Sequence, residues 1–138
     1  MSSILQTQTT SFKKELYEAV HNLSTDVIKI ALYTANADLN ESTTVYSTSN
    51  ETTGAGYIPG GVVMTGVQIS SSGFTAFVDF ADVVFGAAVT ARCALIYNSS
   101  KSNKSIAVLD FGSDKTSANF TITMPVNSST SALIRSSN

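Results

Sequence analysis

At 138 residues, 43% of them hydrophobic, the chain has the length of one ordinary domain and enough apolar side chains for one core. Charged residues make up 13% of the chain, about half the usual share, Ser and Thr fill more than a quarter of it, and the formal net charge is -2. Eight scattered Lys and Arg create no basic field, and no apolar run approaches the roughly 18 residues of a membrane helix, so neither nucleic acid nor a membrane is an expected partner.

Residues 1–10 read as a polar N-terminal arm whose only apolar anchors are Ile4 and Leu5. So little apolar content cannot fold alone, and the arm is expected to order through contact with a partner, which makes Ile4 and Leu5 candidate contact residues. The arm has neither a basic n-region nor an apolar h-region, which predicts synthesis in the cytoplasm. Residues 11–138 then form a single β-rich domain that opens with a helix over 11–23. Phe12, Leu16, Ala19, Val20 and Leu23 recur on one helical face, Ser11 is the N-cap, and the cluster from Asn22 to Thr25 is the stop. His21, the only histidine, falls near the helix end and reads as a surface or capping group.

Residues 26–33 change to a period of two, with Ile28, Ile30 and Leu32 alternating against Val27, Lys29, Ala31 and Tyr33, which is a strand. Residues 34–61 read as one long connection with a possible short strand at 45–47 and a glycine-rich end at 54–61. Long connections in compact domains bind or move, so this is the expected partner surface, with Tyr46, Tyr57, Ile58 and Pro59 as contact candidates. Its glycines do not form a nucleotide cradle, because Pro59 and a strand-like segment follow them rather than a helix.

Strands at 62–69 and 74–80 flank Ser70-Ser71-Ser72-Gly73, read as a four-residue hairpin connection, and 83–85 reads as a further strand after a bend at Ala81-Asp82. Residues 91–112 are two apolar strands joined by a polar, cationic connector, and form the expected centre of the sheet. A strand at 118–124, a turn at 125–129 and a last strand at 131–135 complete the chain. The fold class is mainly β: an antiparallel β-sandwich or jelly-roll-like fold of about eight strands with one N-terminal helix.

The residues supply no chemistry. Cys93 stands alone, so no intrachain disulfide is possible, and its neighbours Ala91, Ala94 and Leu95 make it a small core side chain. Asp110-Phe111-Gly112 imitates the magnesium-binding triplet of protein kinases without the rest of that machinery, and reads as a strand end. Asp79, Asp82 and Asp110 could in principle supply a carboxylate pair or calcium ligands, but each sits beside a strand terminus where turn chemistry accounts for it. The serines lack a nucleophile elbow, His21 as the only base lies at a helix end, and no second histidine exists to share a metal. No catalytic, metal or cofactor-binding residue is assigned. The Asn-x-Ser/Thr triplets are a by-product of composition rather than glycosylation sites.

Phe12-Lys13-Lys14-Glu15-Leu16, His21-Asn22-Leu23, Lys29-Ile30-Ala31-Leu32-Tyr33-Thr34, the stretches 44–51 and 54–61, Ala91-Arg92-Cys93-Ala94-Leu95-Ile96-Tyr97-Asn98 and Ala107-Val108-Leu109-Asp110-Phe111-Gly112 together resemble a family of small virion structural proteins of tailed bacteriophages. The resemblance covers nearly the whole chain. It implies assembly into a virus particle without catalytic residues, as a capsid cement or decoration protein or as a tail, adaptor or fibre component. Its implied partners are the major capsid protein or other virion proteins and further copies of itself, as a dimer or trimer. Where members typically carry glycine after the arginine of the hairpin strand, this chain has Cys93, a change that fits a packing role. A host-glycan-binding module is the third reading, and it would use Tyr46 and Tyr57 as exposed aromatics.

Overall fold

The computed structural model describes residues 3–137. Ten strands and one α-helix follow one another in the order β1 (Thr7–Gln8), α1 (Thr10–Tyr17), β2 (Ile28–Tyr33), β3 (Val62–Val63), β4 (Gln68–Ser72), β5 (Thr75–Asp79), β6 (Val83–Val84), β7 (Val89–Asn98), β8 (Lys104–Ser117), β9 (Thr121–Ile122) and β10 (Ile134–Ser137). No helix among them is long and apolar enough to cross a membrane.

The predicted hairpin is the centre of the molecule. β7 and β8 pair antiparallel, β2 pairs with the other edge of β7, and the sheet runs β1-β8-β7-β2-β3. Two turn residues in the left-handed region, Ser102 and Asn103, complete the connector after a short 3-10 turn at Ser99–Lys101. A three-stranded sheet, β10-β5-β4, and the β6-β9 pair lie beyond it. The protein is therefore mainly β, with antiparallel sheets, one helix and a sandwich-like arrangement in a single domain.

Both faces of the central sheet are buried, which is why its strands read as continuous apolar runs rather than alternating ones. Ile28, Ile30, Leu32, Ala94 and Ile96 point into the larger core, which Phe12 of α1, Phe80, Phe85, Phe120, Ile122, Met124 and Ile134 complete. Ala31, Tyr33, Cys93, Leu95, Tyr97 and Val108 point the other way, under Ala37 and Leu39 of the 34–61 connection and partly buried Ile4 and Tyr46. An irregularity at Arg92 divides β7: Val89 and Ala91 face the larger core, whereas Cys93 faces the smaller. Opposite it, β8 bulges around Gly112 (φ +84°), and Asp110 accepts from Arg92 Nε at 3.0 Å and from the Gly112 N–H at 2.9 Å. Asp110-Phe111-Gly112 is thus a bulge inside β8, not a strand end. Cys93 is the core side chain expected, and burial pushes its thiol up to about 12.

Several sequence-based boundaries move. The helix ends at Tyr17 rather than Leu23, and its N-cap is Thr9, whose hydroxyl accepts from the Phe12 N–H at 3.3 Å. Glu18 is the C-cap, Ala19 sits at φ +59°, and the N–H groups of Ala19 and Val20 donate to the carbonyls of Leu16 and Glu15. That is a Schellman stop, so Val20 and Leu23 continue the apolar spacing on a chain that has already turned. Leu23 still reaches the core, while Leu16 and Tyr17 are exposed.

The strand at 62–69 splits at Gly66 (φ +66°) into β3 and β4. The hairpin after it is tighter than four residues: β4 continues to Ser72, and Gly73 (φ +59°) with Phe74 alone forms the loop. A glycine at the first position of a two-residue loop supplies the positive φ that a type II′ turn needs. Val45 makes only an isolated bridge to Lys104, and the expected strand at 118–124 shrinks to β9 because β8 runs on to Ser117.

The described part of the arm belongs to the domain. Thr7 and Gln8 pair with Val108 and Ala107, Ile4 bridges to Leu39, and the Gln6 side chain accepts from the Asp110 N–H at 3.0 Å. The open edge of β8 supplies backbone partners that the arm's sparse apolar content does not reveal. Met1, Ser2 and Asn138 lie outside the described residues.

Candidate functional site

The face that the 34–61 connection covers holds most of the predicted contact residues. Its fixed point is Glu51, a residue the sequence did not single out. One carboxylate oxygen accepts from the Tyr46 hydroxyl at 2.5 Å; the other accepts from the Tyr57 hydroxyl at 2.6 Å and from the Gly60 N–H at 2.8 Å. Tyr57 oxygen in turn accepts from the Leu32 N–H at 2.9 Å, capping β2 where β3 no longer covers it. Tyr97 donates to the Gly60 carbonyl and Tyr33 to the Ser47 carbonyl, both at 2.6 Å, and the Tyr46 ring stacks on Tyr97 with centroids 4.7 Å apart. Burial first, and the nearby Glu51 carboxylate with it, pushes all four phenols upward, Tyr97 to about 12. They stay hydrogen-bond donors across the neutral range.

This geometry corrects the role expected for Tyr46 and Tyr57. Neither ring stands free on a loop: both are half-buried, Tyr46 against Tyr97 and Tyr57 against Phe85, with their hydroxyls committed to Glu51. The polar surroundings of 34–61 hid this, because a carboxylate and phenols several residues apart have no spacing rule that joins them. Ile4 lies with Tyr46 over the smaller core. Leu5 is half-exposed and donates its N–H to the Leu39 carbonyl. Ile58, 73% exposed, and Pro59 form the outer side of the turn that Gly60 anchors. The structure therefore joins Ile4, Tyr46 and Tyr57 to the interior, and leaves Leu5, Ile58 and Pro59 facing outward.

Gly61 explains why the glycine-rich end is where it is. At φ +78°, with the Ile30 carbonyl oxygen 1.8 Å from where a Cβ would stand, only glycine lets the chain lie this close to β2.

The other polar centre lies at the C-terminal end of β7, around Asn98. His21, expected at the surface, is buried, with its ring 5.0 Å from Phe12. Asn98 accepts from the Ser100 N–H through Oδ1, so its Nδ2 is the donor to His21 Nδ1 at 3.0 Å and to Asp26 at 2.8 Å. That assignment puts the imidazole proton on Nε2, which donates to Glu15 at 2.8 Å. Burial works to raise Asp26, but hydrogen bonds from Asn98, Lys101 and the Asn22 N–H outweigh it and hold the carboxyl at about 2. Every member has a partner, and the chain of bonds ties the end of α1 to the β7–β8 connector.

The three aspartates considered as ligands are apart in role. Asp110 pairs with Arg92, Asp82 accepts from the Met124 N–H at 2.7 Å, and Asp79 is buried with one oxygen bonded to the Phe80 N–H and the other unpartnered. Burial raises the Asp79 carboxyl. Among the described residues no three His, Cys, Asp or Glu side chains gather as they would around a metal ion. Two open recesses, about 700 and 690 Å³, are lined mainly by hydroxyl, amide and apolar side chains, the first between β1 and β10 and the second beside Glu51.

Comparison with known protein families, curated proteins and solved structures finds no match to this chain.

Proposed function

We propose that this chain is a structural protein of a tailed-bacteriophage virion, and within the virion a capsid cement or decoration protein that stabilises the head by protein–protein contact. The sequence resemblance described above names the class. The observation that carries the contact role is the outer side of the 34–61 face, where Leu5, Val45 and Ile58 are exposed on a surface of hydroxyl side chains held from beneath by Glu51. A weakly charged surface with apolar points, on a connection tied down by the Glu51 hydrogen bonds, suits binding by area burial. Its partners are the major capsid protein or other virion proteins, together with further copies of the chain as a dimer or trimer. The protein needs no cofactor for this role and has no catalytic one.

A ligand that binds only the intact shell raises the free energy of opening it. Particles lacking the protein should therefore break at lower temperature than complete particles, and adding the purified chain back should restore them. An electron-microscopy map of the virion tests the position. Many copies spread over the shell support cement, a few copies at one vertex make it a tail, adaptor or fibre component, and absence from the particle overturns the proposal.

A further inference from the structure

The open sheet edges of this protein are not guarded alike. Beyond β1, the free edge of β8 carries Asp114 and Lys115, and Gln6 occupies the Asp110 N–H. β10 carries Arg135, whose carbonyl accepts from the Gln8 side chain at 3.1 Å. β4 has no such protection: Gln68–Ser72 is exposed at all five positions, holds no charge and no proline, and lies at the end of its sheet. Exposed edge strands in monomers are ordinarily blunted by charge, proline or a cover. Core-side positions Ser70 and Ser72 are as exposed as Ile69 and Ser71, so β4 overhangs the core.

The tight turn decides which backbone groups are free. A two-residue loop closing at Ser72 and Thr75 makes that pair, Ser70 with Phe77, and Gln68 with Asp79 the hydrogen-bonded pairs. The N–H and C=O groups of Ile69 and Ser71 then point away from β5. Two copies of β4 set antiparallel about a two-fold axis at Ser70 place Ile69 of each opposite Ser71 of the other, so that every outward donor meets an outward acceptor. No like charges face each other in this register. The Phe74 tip, 90% exposed, comes to the Gly66–Val67 end of the second copy's strand. We propose that β4 is a self-pairing edge through which a second copy of this chain adds to the β10-β5-β4 sheet, giving a continuous six-stranded sheet across the dimer. The inference specifies the homo-oligomer part of the function proposed above and needs no virus particle.

Sedimentation velocity on the full chain over a range of concentrations tests it. The wild type should dimerise with concentration, and Ile69→Lys and Ser71→Pro should each weaken that association by roughly ten-fold or more, the effect of losing edge hydrogen bonds or placing charge at the seam. Circular dichroism should show both variants folded. Ser70→Cys tests the register without disturbing the edge: the two thiols face each other at a non-hydrogen-bonded pair and should oxidise to a covalent dimer, while Ser47→Cys should not. Cys93 is buried and does not compete. A chain that is monomeric at every concentration overturns the proposal, as does a dimer indifferent to both edge variants; if either variant fails to fold, the Ser70→Cys cross-link decides. Dimers that form in solution but never join particles would overturn the virion reading and leave this one standing.

Discussion

At the scale of single residues, Glu51 settles how a 28-residue connection with almost no regular structure can be ordered. A half-buried carboxylate loses part of its hydration and needs donors in exchange, and three donors meet it here, two of them phenols. Glu51→Gln would replace one acceptor oxygen with an N–H₂ group facing existing donors. Loss of about 2 kcal/mol in urea unfolding at neutral pH is the expected result, with Glu18→Gln, in an exposed pair with Lys14, as an unchanged control. The same cluster predicts alkaline sensitivity. Because the folded phenols are raised above their ordinary value of 10.0, the stability they contribute is whole below pH 10.0 and is lost as pH rises through about 12 and beyond. In the Gln variant, phenolate absorbance should appear at lower pH than in wild type. Equal unfolding and equal titration would mean that the carboxylate is not what holds the connection.

At the scale of elements, the central hairpin was legible because two apolar strands around a polar connector have few alternatives, while β2 followed from its period-two alternation and β5 from the Ser-Gly turn before it. The helix was half legible. Phe12 marked its buried face, but apolar spacing through Val20 and Leu23 concealed a stop made from backbone hydrogen bonds at an alanine, where glycine would have announced it. Alanine at φ +59° is strained, so Ala19→Gly should relieve the turn and raise stability by about 0.5–1 kcal/mol, read as a higher melting temperature. An unchanged or lower value would mean that the chain does not turn there and that the longer helix forms. The 34–61 connection was legible only as a long irregular segment. Residues 34–61 do cover a face, but which of its aromatics point inward depends on Glu51 and on the approach of Gly61 to β2, contacts between segments that local sequence does not encode.

At the scale of the whole molecule, the arm decides whether the domain is complete in itself. Read alone, a mainly polar ten-residue arm anchored only by Ile4 and Leu5 has no reason to fold. Set beside β8 they have several: Thr7 and Gln8 extend the central sheet, Leu5 and Ser3 exchange backbone hydrogen bonds with Leu39, and Ile4 helps to cover the smaller core. Thr9 follows as the helix cap, joined to Ser105 at 2.9 Å, so arm, helix and central hairpin meet at one place. Removing residues 1–8 while keeping Thr9 would bare the outer edge of β8 at Ala107 and Val108 and strip the cover from Leu39. Half-buried Ile4 and a few backbone hydrogen bonds amount to about 3 kcal/mol, enough to lower the melting temperature by several degrees in a domain of this size. Hydrogen exchange should then rise along β8 and near Leu39, while the β4–β5 pairing, away from the arm's contacts, is unchanged. If the truncated chain melts as the full one does, the arm is not seated in the free protein, and its pairing with β8 belongs to another state, such as an arm exchanged between neighbouring copies in an assembly. The two outcomes differ in mechanism as well as in stability, because a seated arm closes an edge that would otherwise recruit a partner, whereas a free one is itself the recruiting strand.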